Sequence, residues 1–176
     1  MQYYDGAAWA TVGPAAAGGL TLISTTTIGT TVASVTVSSA FSATYENYKI
    51  TVTGGAGSVQ DEQFTLKLGS TTTGYYAGYI GTNYSTGVAS PIADNNAGLW
   101  TRFGIGRTNG IIANIDLLGP NLAKNTYIVG SQITDSLSRS GSGVLLDTTQ
   151  YTAFTFTPAS GTVTGGTIRV YGYQNS

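Results

Sequence analysis

The sequence predicts an all-β fold, an antiparallel β-sandwich of jelly-roll type with an extended N-terminal arm. Three observations predict it. The 176 residues include 25 Gly and 12 Tyr, and Thr, Val and Ile are frequent, which suits pleated surfaces and their turns. Apolar and polar residues alternate with a period of two in roughly ten segments bounded by turn residues. No stretch has a helical period with caps at its ends. The length fits one domain with an arm, divided here into residues 1–19 and 20–176.

The arm, MQYYDGAAWATVGPAAAGG, places Tyr3, Tyr4 and Trp9 among Ala and Gly. It reads either as a frayed terminus with a linker or as an arm whose three aromatics dock on a neighbouring subunit. From Leu20 the strand pattern is nearly continuous. LTLISTTTI (20–28) turns at Gly29, and TVASVTV (31–37) leads into a Ser/Thr/Ala connection. YKITVT (48–53) stops at Gly54-Gly55. EQFTLKL (62–68) puts Phe64, Leu66 and Leu68 on one face and Thr65 and Lys67 on the other. YYAGYIG (75–81) follows. Residues 82–98, with Pro91, read as a long polar loop. LWTRFGIG (99–106) meets IIANIDLL (111–118) at a hairpin marked by Asn109-Gly110. TYIVGSQI (126–133) precedes a second polar loop, 134–143. TAFTFT (152–157) and GTIRVYGY (166–173), the latter entered through Thr164-Gly165-Gly166, complete the sandwich.

Composition excludes several chemistries. There is no His and no Cys, so no Ser-His or Cys-His nucleophile, no Cys/His zinc site and no disulfide framework. The 7 Lys+Arg are scattered and the net charge is −1, which argues against nucleic acid as a partner. No apolar run is long enough to span a bilayer as a helix, and MQYYDGAAWA lacks the positive n-region of a signal peptide. Charged residues make up 9% of the chain against a usual share of about 25%. A surface that is polar but poor in charge suits a protein that works packed in an assembly.

Candidate sites for chemistry are few. Asp61 and Glu62 are adjacent, so on a strand they point to opposite faces, and neither pairs by spacing with Asp94, Asp116, Asp135 or Asp147. Asp94-Asn95-Asn96 matches no calcium loop and reads as turn chemistry. GIGRTNG (104–110) has one residue too many for a dinucleotide fingerprint and lacks the helix that motif requires. No catalytic residue, metal or cofactor is expected. The aromatics Tyr75, Tyr76, Tyr79, Tyr84 and Trp100 have two readings. They pack on sheet faces and subunit contacts, or they stack on sugar rings of a host surface glycan.

Several stretches resemble β-rich accessory proteins of tailed bacteriophages, which occur as head-decoration (cement) proteins, head fibres and tail-fibre modules. They are the early strand pair GLTLISTTTIGTTVASVTVSSAF (19–41), the aromatic entry FSATYENYKI (41–50), and FTLKLGSTTTGYYAGYI (64–80) with its Tyr-rich strand. The close GGTIRVYGYQNS (165–176) is similar to a closing strand of the type G-S-I-x-L-Y-G. The resemblance spans 19–176 and leaves the arm outside. It implies a non-enzymatic β-sandwich on the virion surface, as a homotrimer, with the major capsid protein and copies of itself as partners. Its lead implication is decoration of the capsid exterior. The alternative is a fibre module that grips host polysaccharide through the aromatics and the 82–98 segment.

Overall fold

The computed structural model describes residues 2–4, 6–11 and 19–174. The strands are β1 Gln2–Tyr4, β2 Trp9–Thr11, β3 Leu20–Thr27, β4 Val35–Val37, β5 Asn47–Gly54, β6 Ala56–Gly57, β7 Glu62–Leu68 and β8 Tyr75–Asn83. They continue with β9 Ala89–Ala97, β10 Ile105–Arg107, β11 Gly110–Leu118, β12 Thr126–Ile133, β13 Leu137–Leu145, β14 Phe154–Pro158, β15 Val163–Thr164 and β16 Thr167–Tyr173. Every pairing is antiparallel, and no helix occurs among the described residues.

The strand order is that of a jelly roll with an extension. One layer runs β3–β16–β5–β11, and the other runs β4–β14–β7–β10. Counted along the chain, these eight strands take the orders 1-8-3-6 and 2-7-4-5, the interlocked Greek keys of that fold. Strand β10 is the corner: it pairs with β7 in one layer and with β11 in the other. Two hairpins inserted between these strands, β8–β9 and β12–β13, pair with each other and add to the free side of β11. The first layer thereby becomes eight strands wide: β3–β16–β5–β11–β12–β13–β8–β9.

Alternation explains which face is buried. Tyr48, Ile50 and Val52 on β5, Ile111, Ala113, Ile115 and Leu117 on β11, and Ile168 and Val170 on β16 point inward and are nearly solvent-free. They meet Phe64, Leu66 and Leu68 of β7 and Phe154 and Phe156 of β14 in a single cluster. Phe64 and Phe156 stack with centroids 4.3 Å apart. The sandwich holds by this burial, since no Cys is available to staple it.

The Gly-Gly turns have a tertiary role. Gly54, Gly55, Gly165 and Gly166 all have φ between 67° and 91°, a region costly for side chains. The two turns also face each other: a Cβ on Gly55 would sit 2.3 Å from the carbonyl oxygen of Gly165. The predicted hairpin at 107–110 forms, with Arg107 opposite Gly110. Neither Asn109 nor Gly110 has a positive φ, so the turn is not the primed type that Asn-Gly usually marks.

Two predicted loops are strands. Residues 82–98 contain β9, and 134–143 lie largely in β13. Both lack apolar alternation, which hid them. Strand β9 is an edge strand paired only with β8 among the described strands, so Pro91 costs no ladder bond on its free side. Asp94-Asn95-Asn96 belongs to this strand, beside a register shift opposite Tyr75 and Ala77, and is not a turn. Strand β13 is SRSGSG-rich because large neighbours need the space. A Cβ on Gly143 would lie 2.9 Å from the Trp100 indole nitrogen, and one on Gly141 would lie 2.3 Å from the Tyr79 ring. The predicted strand 99–106 is regular only from Ile105. Before that, Trp100 and Gly104 bond the backbone of β7 while Arg102 bulges out with φ 58°.

Candidate functional site

The predicted aromatic site divides between core and surface. Tyr75 and Trp100 are completely buried and Tyr79 is 4% exposed, which corrects their reading as a sugar platform. Tyr75 and Tyr79 point to the inner face of the extension, where Trp100 and Phe103 of the 99–104 segment cover them. The Tyr75 and Trp100 rings meet edge to face at 5.0 Å, and Tyr79 packs on Phe103 at 5.4 Å. Their polar ends are satisfied internally. The N–H of Leu68 donates to the Tyr75 hydroxyl at 2.9 Å, and the Trp100 indole N–H donates to the Tyr76 carbonyl at 3.3 Å. The Tyr79 hydroxyl shares its single proton between Asp94 Oδ2 and the Thr101 carbonyl. Burial pushes the Tyr75 and Tyr79 phenols well above their ordinary range. Of the five aromatics, Tyr84 is exposed in the turn after β8, and Tyr76 is half-buried on the outer face of the sheet. Asn83 organises that turn, its Oδ1 accepting from the Ser85 N–H at 3.0 Å.

In the arm, β1 and β2 form a two-stranded hairpin, with Gly6 at φ 99° in the bend. Tyr4 is exposed; the side chains of Tyr3 and Trp9 lie outside the described residues.

The carboxylates are dispersed into structural pairs. Asp61 Oδ1 lies 2.9 Å from Arg107 Nε, too oblique for a hydrogen bond, and Arg107 also clasps Asp135. Glu62 accepts from the Ser160 hydroxyl at 2.6 Å. Asp147 accepts from Thr149 and Tyr151, and these bonds, that of the Thr149 hydroxyl first, lower its pKa to about 2. No cluster of three or more Asp or Glu side chains able to hold a metal occurs among the described residues.

What the strands do assemble is a surface. Where β5, β11, β12, β13 and β8 lie side by side, their outward residues form continuous rows. One row runs Tyr171–Lys49–Asp116–Val129–Ser142–Gly78–Ala93, and the next runs Arg169–Thr51–Asn114–Ser131–Ser140–Ile80–Pro91. Ile80, Ile112, Tyr127, Val129 and Ile133 point outward here and are between 46% and 60% exposed. Leu20 and Leu22 extend the patch on β3. Charge is scarce on this face. Lys49 and Asp116 pair at 3.1 Å, the Tyr173 hydroxyl donates to the same carboxylate, and Arg169 reaches Thr53. Adjoining shallow depressions of about 780 and 570 Å³ lie over Gly78, Val129 and Ser142. Eight strands at ~4.8 Å spacing and about four outward residues per strand give the face an area of roughly 1,000 Å².

The sequence held a signal for this surface that the one-sided reading of each strand passed over. TYIVGSQI and IIANIDLL are apolar at both odd and even positions, the mark of a strand covered on two faces.

No family model matches the chain, and no curated protein matches it. Among solved structures it is similar to a chain in the crystal structure of the infectious bursal disease virus VP2 subviral particle. That match has 13% identity and a TM-score of 0.16, and covers 98% of this chain and 45% of the other. The chain thus spans a little under half the length of that protein.

Proposed function

We propose that this protein is a non-enzymatic structural component of a virion that acts by packing against neighbouring subunits, most specifically as a phage head-decoration protein. The observation that carries the reading is the outer face of the eight-stranded sheet. It is wide and sparse in charge, with the exposed apolar side chains of Ile80, Ile112, Tyr127, Val129 and Ile133 set among Ser, Thr, Asn and Gly, and exposed apolar groups rimmed by polar residues mark interaction surfaces. Its roughly 1,000 Å² exceeds the ~800 Å² per partner of a standard stable interface. The resemblance of residues 19–176 to phage accessory proteins supports the virion setting. Decoration then stabilises the head by mass action, because the protein binds the assembled shell and not its loose subunits.

Ile80→Asp, whose row neighbours are the uncharged Ser140 and Pro91, tests the surface. Covering the exposed half of one such side chain is worth about 1 kcal/mol, and a buried unpaired carboxylate opposes docking by more. The variant should keep its thermal midpoint and lose at least 100-fold in self-association or in binding to purified heads, read by analytical ultracentrifugation and co-sedimentation. Unchanged association refutes the use of this face. Immunogold labelling of virions with antibody to residues 20–176 locates the protein. Gold over the head supports decoration, whereas gold confined to the tail fibres replaces it with the receptor-binding reading.

A further inference from the structure

The inner face of the extension carries a positive charge that the fold leaves uncompensated. Arg139 projects inward from β13, two residues from Gly141, and is 8% exposed. Its Nη1 donates to Gln132 Oε1 at 3.1 Å, and Gln132 Nε2 in turn donates to the Gly104 carbonyl. Its Nε is buried and makes no hydrogen bond. The ion pairs among the described residues join Lys49 to Asp116, Arg102 to Asp94, and Arg107 to Asp61 and Asp135; Arg139 is in none of them.

The charged neighbour that Arg139 does have is another cation. Arg102 stands on the bulged 99–104 segment, its guanidinium carbon 5.9 Å from the centre of the Tyr79 ring and its side chain 28% exposed. Burial first, and the repulsion of Arg102 second, push the Arg139 guanidinium below its usual range. Asp94 does not relieve this. It lies 3.8 Å from Arg102, and its two oxygens already accept from the Tyr79 hydroxyl and from the hydroxyl and N–H of Thr101.

A buried charge is normally paired. A guanidinium is a rigid fork of donors that matches the geometry of carboxylate, sulfate and phosphate. We infer that Arg139 and Arg102 together form a binding site for an oxyanion, with the Arg139 guanidinium as the inner donor and Arg102 as the outer, solvent-reachable one. Entry is from the Arg102 side, with the Tyr79 ring as one wall. The oxyanion is either an inorganic ion or the carboxylate of an acidic sugar. This site lies on the opposite face of the sheet from the apolar surface, so occupation of one does not block the other.

The test uses the full chain with inorganic sulfate, inorganic phosphate and glucuronic acid as probes, and with chloride and glucose at matched ionic strength as controls. Calorimetry reads binding, and the Arg Nε–Hε cross-peaks read which arginine responds. Saturable binding is expected for at least one probe, with a shift of the Arg139 cross-peak, assigned by its loss in Arg139→Met. Affinity should fall at least tenfold in Arg139→Met and in Arg102→Gln. Binding of sulfate or phosphate assigns the site to an inorganic ion, and binding of glucuronic acid assigns it to an acidic sugar. Absence of saturable binding by all three probes overturns the inference, as does wild-type affinity in either variant. Arg139→Met removes a buried charge and should fold; if it does not, Arg102→Gln at the exposed side decides.

Discussion

Gly141→Ala tests whether Tyr79 is a fixed core residue of the extension. The added Cβ would lie 2.3 Å from Tyr79 Cδ1 and 2.9 Å from Cε1, so the ring must move by about 1 Å or more to reach ordinary contact. It has nowhere to go, because its hydroxyl is held by Asp94 and Thr101 and its face by Phe103. Overpacking of this kind costs about 1–3 kcal/mol, and losing a hydrogen bond to a charged group adds about 1.5–3 kcal/mol. The smaller chain entropy of Ala in the unfolded state returns about 0.4–1 kcal/mol. A net loss of about 3 kcal/mol is expected, which lowers the thermal midpoint by roughly 6–12 °C for a chain of this size. Urea unfolding of the wild type, Gly141→Ala, Tyr79→Ala and the double variant measures the coupling. With the ring absent only the 3.1 Å approach to the Gly78 carbonyl oxygen remains, so Gly141→Ala should cost less than about 1 kcal/mol, giving a coupling of about 2 kcal/mol or more. Gly78→Ala is the control, since its Cβ would meet nothing within 4 Å. If Gly141→Ala is neutral, or costs as much without Tyr79, the ring is not pinned as described.

Trp100→Ala should destabilise by about 3–5 kcal/mol, as a fully buried aromatic does, whereas Tyr84→Ala in its exposed turn should leave the urea midpoint unchanged; equal effects would contradict the burial assignments. The Asp147 carboxyl titrates at about 2 in the folded chain and near 4 when unfolded. Its contribution is therefore complete above pH 4 and is lost as the pH falls toward 2. Asp147→Asn should be about 1 kcal/mol less stable than wild type at pH 6, after discounting for solvent screening, and equal to it at pH 2. At the alkaline end, burial and then the Asp116 carboxylate push Tyr173 up to about 12, and burial raises Tyr75 and Tyr79 still further. The unfolded chain loses these protons near pH 10 and the folded chain keeps them, so stability should fall as the pH rises above 10. Absorbance titration at 295 nm should show these phenols ionising only with unfolding.

How far the fold was legible depended on the kind of strand. Residues 47–54, 62–68, 111–118 and 167–173 announce themselves, because a strand buried on one face must alternate and these do. The all-β class, the antiparallel sandwich and the glycine turns at 54–55 and 165–166 followed from such local rules. Strands β9 and β13 were not legible. ASPIADNNA and LSRSGSGVL have little apolar surface of their own; neighbouring strands supply their backbone partners, and Gly141 and Gly143 are small to admit Tyr79 and Trp100. The candidate site followed the same division. The sequence determined that the chain would be a charge-poor β body without His- or Cys-based chemistry, because composition alone decides which side chains are available. Only the tertiary structure decided which aromatics were core, which outward residues joined into one exposed face, and that Arg139 is buried outside every ion pair among the described residues. Each of these depends on which strand lies beside which. That is set by long-range pairing across two inserted hairpins, and no local period in the chain encodes it.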